Sequence, residues 1–320
     1  MRTITLEEHF VTRDFQKATG GDSADMPSYM QRLQAQLLDL GEGRIRAMDE
    51  GSVDLQVLSL AAMGIDDLSP ADQTPVLRGV HDELASAIQA HPDRLKAFCT
   101  PALKEPANAV RELERTAKIP GFVGMMIDGT TDGKFLDATE FFPVLEAAES
   151  LNVPVYIHPA PPPEPVEAAY YSGLPGDTGH LLSIAGWGWH SETAIHILRL
   201  ILAGVFDKLP KLQVIIGHMG EGIPYALART SAVLTPASKH LKRSIAETFQ
   251  QQVHVTTSGY FTKPPFDCAR EVLGLDCLLY SVDYPFSPNT KGKDFLATLN
   301  LNDADLAQLT HINAEKLLKL

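Results

Sequence analysis

Short runs rich in Val, Ile and Leu alternate along the chain with longer stretches whose apolar residues recur every three to four positions. The first pattern predicts strands over residues 3–10, 53–60, 95–100, 122–128, 153–159, 212–218, 253–259 and 278–283. The second predicts helices over 74–91, 108–118, 140–151, 192–206, 221–234, 266–273 and 303–320. Within 74–91, for example, Val76, Val80, Leu84 and Ile88 fall four apart. Asn302 stands where the N-cap of the last helix belongs.

Eight strands separated by helices predict a (β/α)8 TIM barrel, read as one domain over residues 1–320. An open doubly wound sheet is the alternative. The first strand is not followed by G-x-G-x-x-G, which weakens a dinucleotide-binding version of it. Two connections are long. Residues 11–52 follow the first strand and are expected to hold a helix over 27–49. Residues 160–189 follow the fifth strand and are rich in Pro, Gly and aromatic residues. A βα loop of that length at the mouth of a barrel is expected to shape a pocket.

Composition narrows the partners. The 320 residues carry 27 Lys and Arg against 40 Asp and Glu, a net charge of −13. Such a chain repels phosphate backbones and anionic lipid, so neither nucleic acid nor a membrane surface is expected as a partner. No apolar run approaches the roughly 20 residues of a membrane span. An apolar content of 44% argues against disorder. Three cysteines, Cys99, Cys268 and Cys277, are too few for a disulfide framework and read as buried small apolar residues. A reduced, cytoplasmic protein is expected.

Barrel enzymes carry their chemistry at the C-terminal ends of the strands. The first strand ends Glu7-Glu8-His9, and alternation places Glu7 and His9 on one face and Glu8 on the other. The fifth ends in His158, the sixth in His218 with Glu221 three residues on, and the eighth in Asp283. Each alone reads as a structural side chain. Four such ends converging on one mouth supply the N and O donors that Zn²⁺ or Mn²⁺ takes.

Several motifs resemble the decarboxylase branch of the amidohydrolase superfamily, which includes γ-resorcylate, 2,3-dihydroxybenzoate and 5-carboxyvanillate decarboxylases. They are LEEHF at the start, ETAIHILRLILAGVFDKLPKLQVIIGHMGEGIPY, VTTSGYF and the closing INAEKLLKL. The resemblance runs over essentially the whole chain. It implies that Glu7, His9, His158 and Asp283 bind one divalent metal ion, Zn²⁺ or Mn²⁺. It also implies that His218 and Glu221 form a catalytic pair beside it, with Asp283 as proton donor to the ring carbon of a hydroxylated aromatic acid. Arg229 matches an arginine of the relatives and is a candidate partner for the substrate carboxylate. A homodimer or homotetramer is expected on the same ground.

Two-metal amidohydrolases use a lysine on the fourth strand. That strand here contains no lysine, so one metal is expected. It ends in Asp128, where the resorcylate enzymes are expected to carry a neutral amide. Asp128 and the stacking candidates Trp187 and Trp189 complete the expected substrate contacts. The same ligand set also suits a hydrolase that attacks an ester, lactone or amide with metal-activated water. His180, His190 and His196 read as packing or capping residues. Ser258 lacks a G-x-S-x-G elbow and is not read as a nucleophile.

Overall fold

Eight strands form one parallel sheet in chain order: β1 (Ile4–Phe10), β2 (Leu55–Leu60), β3 (Leu95–Cys99), β4 (Phe122–Asp128), β5 (Val155–His158), β6 (Val214–Ile216), β7 (Val253–Thr256) and β8 (Leu278–Leu279). The structure, a computed structural model, describes residues 1–20 and 28–320. Each strand pairs with the next from β1 to β8, and helices pack outside, as expected for the (β/α)8 barrel. Between β8 and β1 the ring is closed largely through side chains. Ser281 Oγ accepts from the Leu6 and Glu7 amides at 3.1 and 2.7 Å. His9 N donates to Tyr284 O at 2.6 Å.

Two apolar layers hold the barrel. Ile4, Leu6, Val57, Met126, Tyr156 and Ile215 fill its interior, and Ala314 and Leu318 of the closing helix join the same cluster. A larger layer lies between strands and helices, with Leu77, Val80, Leu84 and Ile88 on the inner face of the helix Pro70–Ala90. Strands β6, β7 and β8 stop earlier than the hydrophobic pattern predicts. In β6 and β8 the lost residues include His218 and Asp283, at positive φ. The backbone leaves the ladder where polar site residues begin.

The face of β1 turns over once. Ile4 and Leu6 point into the barrel, so strict alternation would send Glu8 inward and Glu7 and His9 outward. A β-bulge between Thr5 and Glu8 adds one residue to β1 against β2. That single residue inverts the facing of everything after it. Glu7 then meets Tyr156, Thr256 and Ser258 inside the barrel, while Phe10 joins the outer layer.

The 11–52 connection holds helices Arg13–Ala18, Ser28–Leu38 and Glu42–Glu50. The single helix expected over 27–49 is thus broken, and its first residue, Pro27, lies outside the described residues. At the break, Asp39 Oδ1 accepts from Gly41 N at 2.8 Å, and Gly41 is the N-cap of the next helix. That helix delivers Arg44, wholly buried, which donates to His9 O at 2.6 Å and to Asp39 O at 2.8 Å. The 160–189 connection contains two short helices, Glu164–Tyr170 and Thr178–Ser183. The last helical segment runs through a π turn at Gln308–Ile312, where Leu309 O accepts from Tyr280 N at 3.1 Å. Asn302 caps its start, accepting from Asp305 N at 2.9 Å.

All three cysteines are free. Cys99 is buried as expected, whereas Cys268 and Cys277 are partly exposed. No helix among the described residues is long and apolar enough to cross a membrane.

His196 fills the structural role expected of it. It is buried in the helix Gly188–Leu202, and its Nε2 accepts from Leu136 N at 2.9 Å. Burial disfavours the imidazolium and lowers the pKa to about 3. Between there and the ordinary 6.5 the unfolded chain takes up a proton that the folded chain refuses, so stability falls as pH drops. By pH 5 the loss from this one group is about 2 kcal/mol. Urea unfolding at pH 7 and pH 5 should show a steeper acid loss in the wild type than in His196→Gln.

Candidate active site

After β6 the chain does something unusual for L residues. His218, Met219, Gly220, Glu221 and Gly222 all have positive φ, between 51° and 82°. The three non-glycine residues in this left-handed turn cost roughly 1–2 kcal/mol each. Such strain persists only where the surroundings impose it, and it clusters at functional sites. Ser258 Oγ accepts from His218 N at 3.0 Å, and Gly220 N donates to Gly217 O at 2.8 Å. Gly217 permits the approach, since a Cβ there would lie 2.6 Å from Glu7 Oε2. The turn places Glu221 beside His218, with Nδ1 2.9 Å from Oε1. The sequence pattern puts Glu221 in the first turn of a helix. The helix instead starts at Ile223, and Gly222 is its N-cap.

Glu7, His9 and His158 each offer a ligand atom, all within 4.8 Å of one another. Glu7 is wholly buried. Its Oε2 accepts from Tyr156 Oη, from Ser258 Oγ at 2.5 Å and from Thr256 Oγ1 at 3.3 Å. Its Oε1 lies 3.3 Å from His158 Nε2 and 3.6 Å from His218 Nε2. Asp283, at φ +73°, brings Oδ1 to 3.3 Å from His9 Nε2. Ser59 Oγ contacts His9 Nδ1 at 3.1 Å, which leaves Nε2 facing the cluster. The four expected metal-ligating residues are therefore neighbours.

The charge balance follows from burial and pairing. Burial opposes ionisation of Glu7, but the imidazoles of His218, His158 and His9 hold it well below the usual carboxylate range. Burial likewise opposes the His218 imidazolium. Glu221 and Glu7 outweigh it and push His218 up to about 9. Asp128 and Glu7 do the same for His158, whose Nδ1 is 2.8 Å from Asp128 Oδ1.

A second cluster adjoins the first. Glu221 is shared by two imidazoles, since its Oε2 lies 2.5 Å from His190 Nδ1. Trp189 Nε1 donates to His190 Nε2 at 3.1 Å. Nε2 also lies 3.2 Å from Ala185 O, so both ring nitrogens are engaged. A run of polar contacts thus leads from Trp189 through His190 and Glu221 to His218. His190, read from the sequence as a packing or capping residue, is thus held against the site residue Glu221. Its position in the first turn of the helix Gly188–Leu202 directs it into the site.

Aromatic rings border the imidazoles. Phe286 lies 5.5 Å from His9, Trp189 6.5 Å from His158 and Tyr260 5.9 Å from His218, between ring centroids. Of the expected substrate contacts, Trp189 joins this border and Asp128 stands behind His158. Trp187 is 62% exposed, and Arg229 is exposed on the helix Ile223–Leu234 with no ion pair among the described residues. Neither is drawn into the cluster within this chain. Sequence reasoning misses Tyr156 and Thr256 and gives Ser258 no role. Period-two spacing is their signal, since Tyr156 precedes His158 by two and Thr256 precedes Ser258 by two.

The donor set fits a divalent cation. Glu7 Oε1 and His9 Nε2 are buried and have no hydrogen-bond partner. Leaving such atoms unpaired costs about 1–3 kcal/mol each. They face the same space as His158 Nε2 and Asp283 Oδ1, which gives two carboxylates and two imidazoles, the hard and intermediate donors that Mn²⁺ and Zn²⁺ accept.

An amidohydrolase family model matches residues 30–320. The γ-resorcylate decarboxylase of Polaromonas sp. strain JS666 is 34% identical, over 99% of this chain and 98% of its own length. A crystal structure of a dihydroxybenzoic acid decarboxylase from the same strain, with manganese and the inhibitor 2-nitroresorcinol, superposes with a TM-score of 0.90. It is 32% identical and covers 100% of this chain and 97% of that one. A 5-carboxyvanillate decarboxylase from Novosphingobium aromaticivorans, with manganese and 4-hydroxy-3-methoxy-5-nitrobenzoic acid, gives a TM-score of 0.89. It is 30% identical and covers 100% of this chain and 96% of that one.

Proposed function

Since the chain belongs to the amidohydrolase family, we propose that it is a metal-dependent, non-oxidative decarboxylase of a hydroxylated aromatic acid. The observation that carries this reading is the cluster of Glu7, His9, His158 and Asp283, in which the buried Glu7 Oε1 and His9 Nε2 have no hydrogen-bond partner, bordered by aromatic rings. Manganese in the two related crystal structures favours Mn²⁺ as the ion. The domain is taken as residues 1–320.

When bound, the cation supplies positive charge that holds a carboxylate and an ortho-hydroxyl oxygen together and stabilises phenolate-type charge. The remaining work belongs to side chains. Phe286, Trp189 and Tyr260 present apolar surface to a planar ring. Asp283 receives the proton of the ortho-hydroxyl and delivers it to the ring carbon that bears the carboxylate. The carbon–carboxylate bond then breaks, its electron pair returns to the ring, and CO2 leaves. His218, tied to Glu221 through Nδ1, is placed to return a proton to the phenolate oxygen.

Incubation with a panel of hydroxybenzoates should release CO2 from acids that carry an ortho-hydroxyl, and not from benzoate or from esters of the same acids. Release of acid from an ester or lactone, with the free acids inert, would favour metal-assisted hydrolysis instead.

A homo-oligomer is proposed as well. The helix Ile223–Leu234 exposes Tyr225 (89%), Arg229 and Val233 (51%) four residues apart, and apolar surface of this kind suits a copy of the same chain. Arg229 as a carboxylate partner remains a proposal tied to that assembly. Free thiols support a cytoplasmic setting.

A further inference from the structure

Glu8 is wholly buried on the side of β1 opposite Glu7 and His9, and the reaction sequence above gives it no part. Its Oε1 accepts from the Val282 amide at 2.9 Å and from Ser281 Oγ at 3.1 Å. Its Oε2 accepts from the Tyr284 amide at 3.1 Å and faces Gln56 Nε2 at 3.5 Å. The two amides flank Asp283, whose φ of +73° is one that L residues keep only when their surroundings impose it. Arg44 braces the group from the insertion, donating to Gln56 Oε1 at 3.3 Å and to His9 O at 2.6 Å. One carboxyl group therefore grips both sides of Asp283 across the seam where β8 and β1 meet.

We infer that Glu8 is a positioning residue for Asp283. From the outer side of the barrel wall it fixes the 282–284 turn, so that Asp283 Oδ1 stays beside His9 Nε2. The inference rests on the metal site proposed above. A glutamine at position 8 keeps one acceptor oxygen but turns an NH2 group toward the other contacts, so one of the two amides loses its partner. The metal donor held by that turn then wanders.

Calorimetric titration of the full-length protein with Mn²⁺ alone tests this, comparing wild type, Glu8→Gln and Glu7→Gln. Partners behind a metal ligand typically contribute about 10- to 100-fold in affinity, so Glu8→Gln should lose that much while its circular dichroism is unchanged. A merely structural brace would lower the melting temperature and leave Mn²⁺ affinity within about twofold, which overturns the inference. If Glu8→Gln does not fold, Ser281→Ala takes its place, with a loss of roughly 3- to 10-fold expected and less than about twofold overturning the idea. A wild type that fails to bind Mn²⁺ sinks the metal reading and this inference with it. A wild type that binds, a Glu7→Gln that does not, and an unaffected Glu8→Gln sink the positioning role alone.

Discussion

Asp283→Asn is expected to lower kcat by about 10³- to 10⁴-fold while leaving the fold intact, near the upper range for loss of a positioned acid. The substitution keeps the shape of the side chain. Asparagine also tolerates positive φ better than most residues, so the turn at +73° survives. Asparagine can keep Oδ1 beside His9 Nε2, but the second carboxylate oxygen, proposed as the proton carrier, becomes an NH2 group. An amide oxygen can still face a cation, so Mn²⁺ affinity should fall far less than turnover does. The check is parallel measurement of CO2 release and metal content on one preparation. Turnover within about tenfold of wild type at full occupancy would remove Asp283 from the proton path.

Glu7→Gln is expected to act the other way round, on the ion first. The amide side chain keeps an oxygen for the hydroxyls of Tyr156, Thr256 and Ser258, so the apoprotein should fold. The charge at Oε1 disappears, however, and with it the anionic donor between His158 and His218. Loss of a direct ligand should exceed the roughly 10- to 100-fold typical of outer partners, and activity should fall to background at micromolar Mn²⁺. A ligand that binds only the folded state stabilises it by about 4 kcal/mol at a concentration roughly 1,000 times its Kd. The rise in melting temperature that Mn²⁺ gives the wild type should therefore vanish in Glu7→Gln, while the two apoproteins melt close together. Equal rises in both would show that the ion binds elsewhere.

Much of this site is legible in the sequence for a simple reason. In a parallel barrel the strand ends share one rim, so Glu7, His9, His158, His218 and Asp283 can be grouped before any distance is known. The motifs then give the group its chemistry. Missing from that reading are residues whose roles depend on a turn. His190 looks like an ordinary helix residue because a helix start does not reveal which way it faces. Glu221 looks helical because no one-dimensional signal marks five successive residues with positive φ. Arg229 and Trp187 carry suggestive chemistry, yet the fold leaves both on the surface of the single chain.

The sequence by itself determined the barrel, through the period of its apolar residues, and the set of donors, through their places at strand ends. Tertiary structure alone decided which way those donors point. Read from Ile4 and Leu6, alternation along β1 aims Glu8 into the barrel. One bulge reverses that, sending Glu7 and His9 inward and setting Glu8 against the far side of the wall. A bulge is set by pairing with β2 and by the contacts made at the β8 seam. Both partners lie far along the chain, so no local pattern in LEEHF encodes the reversal.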